Sequence, residues 1–312
     1  MIYPMLALWI ISALLILREN NNTRILIYMG IFGLISAICF YILGAPDVAM
    51  AEAAISAFTT VFIIVLLERF YGIGGDREEQ EDQAKRTKTS PVKYLLPAGF
   101  TAAIFFLSVY FMPDNEVNTY LKDFYLARFR EDVGGLNPVA TILLSYRMYD
   151  TLFEALVLVV AVVGVIHMSD FSEIAAKDGK HSEIEGYSMA IFAMRIICPL
   201  ILIFGVYLIL NGHISAGGGF VGGLAIASFF VARFMIYNIY DLPILKVNKM
   251  EELVFVAIAL LAVAAAFQGL FSYALTPLLK EIYLIVMNAL IGLKVACGFI
   301  ILFYRYVAIE RK

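Results

Sequence analysis

Nine stretches of this chain carry few charges and run for the length of a membrane crossing, about twenty residues each. They fall at 2–17, 24–43, 47–69, 94–112, 149–168, 189–210, 220–237, 252–273 and 283–304. Lipid offers backbone amides and carbonyls no water to bond, so a crossing segment must be a helix or part of a closed barrel. These runs show none of the two-residue alternation a barrel strand needs, which leaves helices. Composition agrees: 62% of residues are hydrophobic and 16% charged, against roughly half and a quarter in a soluble domain. The expected fold is an all-α, multi-pass integral membrane protein with about nine transmembrane helices. The first run lacks a basic leader and a small-residue cleavage site and reads as a retained helix.

Most connections are short and polar; two are long. Residues 72–91 contain Gly72, Gly74, Gly75 and the mixed charge run Asp76–Lys88, the composition of a solvated linker at a domain junction. Residues 113–138 place Val117, Tyr120, Leu121, Phe124, Tyr125 and Phe129 at three- and four-residue spacing. That pattern predicts an amphipathic helix lying on the membrane or against a partner. With the first end outside, sixteen of the 23 lysines and arginines fall on the inner side and five outside. The excess predicts an N-out, C-in orientation; the expected location is the inner (cytoplasmic) membrane.

Several chemistries are excluded. Cys39, Cys198 and Cys297 are widely spaced within apolar runs, which argues against zinc, iron–sulfur or haem ligation and reads as three small hydrophobes. A net charge of −3 gives no basis for nucleic-acid binding. No hydrolytic triad, nucleotide site or redox centre is recognisable, so no cofactor is expected in this chain.

Ionisable groups inside spans are costly and by default mark ion or proton paths. Asp47 follows Gly44-Ala45-Pro46 at the start of the third run; it suits a helix N-terminal cap as well as an ion path. Glu52 lies deeper, with Ser56 and Thr59 at i+4 and i+7, a polar stripe facing protein or water. Asp150 and Glu154 project from one helix face. Two acids so close can share a proton or ligate a hard cation, or they can mark a headgroup-level helix start with Arg147 as counter-ion. Lys294 sits mid-span, where a buried amine either exchanges a proton or neutralises one acid. His213, in Asn211-Gly212-His213, precedes Gly217-Gly218-Gly219-Phe220 and Gly222-Gly223, a cluster suited to tight turns and close helix approach.

These residues carry a resemblance. Asn211-Gly212-His213 through Gly222-Gly223, with Asn288 and Ile291-Gly292-Leu293-Lys294-Val295, resembles the B subunit of Mrp-type multisubunit cation/proton antiporters, departing at Ala216, where that family usually has proline. Gly44-Ala45-Pro46-Asp47-Val48-Ala49-Met50-Ala51-Glu52 resembles the D-like subunit of membrane-bound hydrogenases and the matching part of the antiporter A subunit. Tyr146-Arg147-Met148-Tyr149-Asp150-Thr151-Leu152-Phe153-Glu154 resembles the E-like segment that follows it. Antiporter A subunits tend to carry glutamine at the position of Glu52 and glutamate at that of Ser56; the hydrogenase-type module places its acid first, as here.

The resemblance implies a D-like domain at 1–71, a cytoplasmic linker at 72–92, an E-like domain at 93–170 with the amphipathic helix, and a B-like four-helix domain at 185–312. It implies a membrane subunit of an Mrp-like sodium/proton module in a hydrogenase-related, ferredoxin-driven respiratory complex. Na+ is then the transported ion, and iron–sulfur clusters belong to partner subunits. The expected partners are other Mrp-like antiporter subunits, hydrogenase-like membrane and iron–sulfur subunits, and lipid. Glu52, Asp150, Glu154 and Lys294, with Asp47 and His213, are the candidate ion-path residues. A stand-alone Mrp antiporter and a purely structural scaffold are the alternatives.

Overall fold

A computed structural model describes residues 2–19, 21–71, 119–168, 188–237, 242–267 and 276–308, with scattered positions between 99 and 110. The linker at 72–92, most of the predicted span 94–112, and Val117 lie outside the described residues. Ten helices are described in full: α1 (Ile2–Arg18), α2 (Asn22–Ile42), α3 (Pro46–Tyr71), α4 (Tyr120–Asp132), α5 (Pro138–Leu144), α6 (Met148–Met168), α7 (Ser188–Asn211), α8 (Gly219–Tyr237), α9 (Ile244–Phe267) and α10 (Pro277–Ala308). There is no strand among the described residues. Among the described residues five helices are long and apolar enough to cross a membrane: Asn22–Ile42, Pro46–Leu67, Met148–Met168, Phe192–Asn211 and Pro277–Val307. The protein is a multi-pass membrane protein. The contacts divide it into a unit of residues 1–70 and 125–312 and a second of residues 71–124; all six candidate ion-path residues belong to the first.

Local chemistry sets the helix ends. Asn21 caps α2, its side chain accepting from the Thr23 and Arg24 amides at 3.0 and 3.2 Å, two donors a helix start leaves unpaired. Gly44, at φ 80°, turns the chain after α2, and Pro46 opens α3 where its missing N–H costs nothing. Asn137 and Pro138 repeat the device at α5, with Asn137 Oδ1 accepting from Val139 N at 3.0 Å.

Helix α8 is packed on two sides by backbone. A Cβ on Gly222 would stand 2.6 Å from the Gly205 carbonyl of α7 and 3.0 Å from Ile209 N. On the other side Gly219 and Gly223 abut α10, where a Cβ on Gly219 would meet the Asn288 carbonyl at 2.5 Å and Gly292 N at 3.0 Å. Helices approach this closely only through small residues, and in lipid such packing replaces the hydrophobic drive that water would supply. The far side of α10 receives α9, with Ile258, Ala262, Ala265, Phe303 and Tyr304 all buried. Helix α3 adds an aromatic ladder, Phe58 on Phe299 at 5.0 Å and Phe62 on Phe303 at 5.7 Å between centroids. Trp9 of α1 stacks on Phe32 of α2 at 5.0 Å and donates to Ser36 Oγ at 2.6 Å.

Three expectations are adjusted. Helix α9 begins at Ile244 rather than 252 and α10 at Pro277 rather than 283, because polar residues continue each helix beyond its apolar run. The predicted amphipathic segment is split, α4 ending at Asp132 and α5 starting at Pro138; Phe129 is buried while Tyr120 and Leu121 are exposed. The polar stripe on α3 runs Glu52, Ser56, Thr60: Gly33 and Gly30 of α2 lie against Ser56 and Thr60, whereas Thr59 is exposed and its hydroxyl donates to the Ile55 carbonyl at 2.6 Å.

The glycine contacts yield a paired expectation. Gly222→Ala forces two backbones apart and should cost about 1–3 kcal/mol, seen as a lower thermal midpoint of the purified protein. Gly164→Ala, which meets nothing within 4 Å, should leave that midpoint unchanged or raise it.

Candidate functional site

About halfway along α10, Lys294 Nζ meets the carboxylate of Glu251 on α9. The residues are 0% and 1% exposed, and the lysine also lies over the Phe255 ring, 5.4 Å from its centroid. Two full charges in the core of an apolar bundle repay their desolvation only if they hold each other. Lys294 was legible in the sequence; Glu251 was not, because the hydropathy of α9 rises only after Glu252. Turned inward at Glu251 and outward at Lys246, Lys249 and Glu252, the first turns of α9 deliver one carboxylate to one amine.

A second polar group sits at the end of the bundle where α3, α5, α8 and α10 begin. Asp47 Oδ1 accepts from Asn137 Nδ2 at 2.9 Å and from Gly217 N at 3.3 Å. The carboxylate expected to cap its own helix thus ties down two other segments. Asn137 Nδ2 also donates to the Ser215 carbonyl at 3.0 Å and the Gly212 carbonyl at 3.4 Å. The amides of Leu136 and Asn137 both donate to the His213 carbonyl at 2.9 Å. Gly217 and Gly218, at φ 138° and 98°, bend the turn so that Gly219 N reaches Asn288 Oδ1 at 3.0 Å. The same end holds Lys280, whose Nζ donates to the Glu131 carbonyl at 3.1 Å. His213 is buried beneath the turn, Nε2 3.5 Å from Glu281 Oε1.

The break between α5 and α6 builds the third cluster. Its loose carbonyls are taken by side chains: Thr151 Oγ1 donates to Leu143 O and Tyr283 OH to Leu144 O, both at 3.0 Å. In the break, Tyr146 OH donates to Asp132 Oδ2 at 2.6 Å. Burial, with that hydrogen bond and the aspartate's charge adding to it, pushes the Tyr146 phenol well above its usual value, so it stays a neutral donor. Asp150 Oδ2 is 2.5 Å from Arg147 Nη2, both side chains partly exposed, an arrangement worth little stability. Glu154, one turn on, is exposed on a face shared with Phe153 and Val157. Asp150 and Glu154 thus share a helix face, but the arginine engages only the first. Glu52 is half-buried against α2, accepting from Ser56 Oγ at 3.1 Å.

The six sequence-derived residues therefore fall into separate places: Lys294 in the core, Asp47 and His213 at one end, Asp150 and Glu154 along α6, and Glu52 at the α2–α3 contact. Glu251 and Asn137 were missed. Asn137-Pro138 carries a readable cap signal, but nothing in it announces three further acceptors. Among the described residues no three histidine, cysteine, aspartate or glutamate side chains gather as a metal site.

Residues 189–310 match the family described as a domain related to the MnhB subunit of Na+/H+ antiporter, and residues 7–71 match the MbhD family, the D subunit of MBH. A probable K(+)/H(+) antiporter A/B subunit of Rhizobium meliloti is 27% identical over 231 residues, 67% of this chain and 23% of the relative. The A subunit of a Na(+)/H(+) antiporter of Alkalihalophilus pseudofirmus is 27% identical over 165 residues, 53% of this chain and 20% of the relative. The chain thus spans a fifth to a quarter of these curated relatives. Its fold is similar to a chain of the Mrp complex from Dietzia sp., with TM-score 0.78 and 20% identity over 99% of this chain and 35% of that one. It is also similar to a chain of an archaeal membrane-bound sulfane sulfur reductase, with TM-score 0.58 and 23% identity over 70% of this chain and 98% of that one.

The buried pair predicts a non-additive mutant cycle. Lys294→Met alone strands a carboxylate in the core and should cost about 3–5 kcal/mol, while Glu251→Met with Lys294→Met should recover most of it. Thermal exposure of the buried Cys198 and Cys297 to a thiol-reactive dye reads both.

Proposed function

We propose that this chain, a fusion of an MbhD-related and an MnhB-related domain, is a non-redox membrane subunit of an Mrp-like sodium/proton translocating module in a hydrogenase-related, ferredoxin-driven respiratory complex of the inner membrane. The observation that carries the proposal is the buried Lys294–Glu251 pair within the MnhB-related domain. A bundle held by glycine contacts and aromatic ladders gains no stability from such a pair that apolar residues of similar volume would not give. Charge kept at that depth is the mark of charge being moved.

In this function Glu52, Asp150, Glu154 and Lys294 form parts of the ion path, joined by Glu251, with Asp47 and His213 at its outer end. The acids alternate between protonation and Na+ occupancy, driven by conformational or electrostatic change in neighbouring subunits. Iron–sulfur clusters reside in partner subunits. The chain crosses the membrane about nine times, N-terminus out and C-terminus in. The turns at Gly44, Gly134 and Gly217 and the start of α10 are gathered at one end by the Asp47–Asn137 contacts, which supports that alternation.

A stand-alone Mrp antiporter is the second reading, favoured by the Dietzia sp. likeness across 99% of the chain. Purifying the native complex in gentle detergent separates the two. Iron–sulfur subunits in the purified complex support the respiratory assembly; antiporter subunits without iron replace it with the second. In vesicles of the intact complex, Asp150→Asn and Glu154→Gln are each expected to lower Na+-dependent proton movement about tenfold or more (~1.4 kcal/mol or more) with assembly preserved. The Glu251→Met/Lys294→Met pair should assemble and not transport. If that pair transports normally, the chain is a scaffold.

A further inference from the structure

Three polar side chains near the start of α10 are buried and make no hydrogen bond through their free atoms. Thr141 is 0% exposed, Asn288 3% and His213 4%. The orphan atoms are Thr141 Oγ1, Asn288 Nδ2 and both ring nitrogens of His213. Leaving a buried polar group without a partner is costly, and native structures hold few of them.

All three belong to one neighbourhood. Glu281, Leu284 and Asn288 follow one another at three and four residues along one stripe of α10. His213 Nε2 comes to 3.5 Å from Glu281. Gly135, beside Thr141 Oγ1, faces Leu284 Cδ1, which a Cβ there would meet at 3.2 Å. A Cβ on Gly212 would lie 3.3 Å from Asn288 Nδ2. Through Gly212 and His213 the turn therefore touches both ends of the stripe, a span of about 10 Å along the helix axis. Of the charged groups at this end, Glu281 faces His213, while Asp47 and Lys280 are already bonded to other segments.

We propose that these groups line a chamber of bound water at the outer end of the bundle, and that His213 is the group there that exchanges a proton with it. The donor set selects the ligand. Asn288 Nδ2 only donates, the Thr141 hydroxyl donates or accepts, and a neutral imidazole offers one of each. A cation would be repelled by the donor-only Asn288 Nδ2, whereas water satisfies donors and acceptors alike and needs two to four polar partners. Thr141 and Asn288 hold the water against His213, which relays protons between it and Glu281. The proton-entry role rests on the transport function proposed above; the hydration does not.

Millisecond hydroxyl-radical labelling of the intact native complex tests the chamber, because radicals formed from bound water modify side chains beside it whatever their exposure. Corrected for intrinsic reactivity, His213 should label about tenfold faster than Phe303, a buried side chain in an apolar contact, as expected for a ring beside bound water. Thr141→Val, an isosteric change, and Thr141→Val with Asn288→Leu should each slow His213 labelling at least about fivefold, by removing partners of that water. Thr141→Val tests the point should the double variant fail to assemble. His213 labelling no faster than Phe303 overturns the chamber, and labelling unchanged in Thr141→Val overturns the assignment of its walls. Neither readout needs transport, so a normally transporting Glu251→Met/Lys294→Met complex would defeat the proposed function and leave the chamber standing.

Discussion

Backbone-to-backbone contact on both sides of α8 is the constraint from which the rest of the bundle follows. Gly205 and Gly222 bring α7 against it, and Gly219, Gly223 and Gly292 bring α10. In a solvent as apolar as the side chains themselves, helices choose partners by fit rather than by escape from water. Once α10 is held at that distance, its far side accepts α9, and the Lys294 side chain meets Glu251 and Phe255 there. The aromatic ladder from α3 then completes the enclosure around Phe299 and Phe303.

How much of this was readable depends on which signal a residue sends. Length and hydropathy revealed the spans that are helices here, since lipid permits little else, and Gly44-Ala45-Pro46 and the Gly217–Gly223 run marked turns through the conformations only glycine or proline favours. Lys294 was visible as a lone charge in an apolar run. Glu251 was hidden because it lies among Lys246, Lys249 and Glu252, where an acid looks like one more solvated charge; only the helix phase separates the inward residue from the outward three. Thr59 and Thr60 illustrate the same limit. Either fits a polar stripe begun by Glu52, and the choice is made by Gly30 on another helix. The three-way role of Asn137 depends on segments some ninety and eighty residues away and leaves no local trace.

The ion pair and the polar cluster at the end of the bundle answer different physical demands. The pair is closed: each charge has the other, the Phe255 ring covers the ammonium, and nothing polar is left over. The end cluster is open, with more donors and acceptors than partners. The closed element keeps its charge at depth, and the open one leaves buried polar atoms without a protein partner.

The contacts of Asn137 have a consequence for stoichiometry. One side chain holds the start of the MbhD-related helix α3 and the central turn of the MnhB-related domain together. Between separate polypeptides such a junction would form only as often as the subunits met. On one chain it forms at an effective concentration set by the length of the connecting segments. A fused polypeptide therefore cannot be assembled with one of these parts missing or duplicated, and the ratio of the two domains is fixed at synthesis rather than by expression levels.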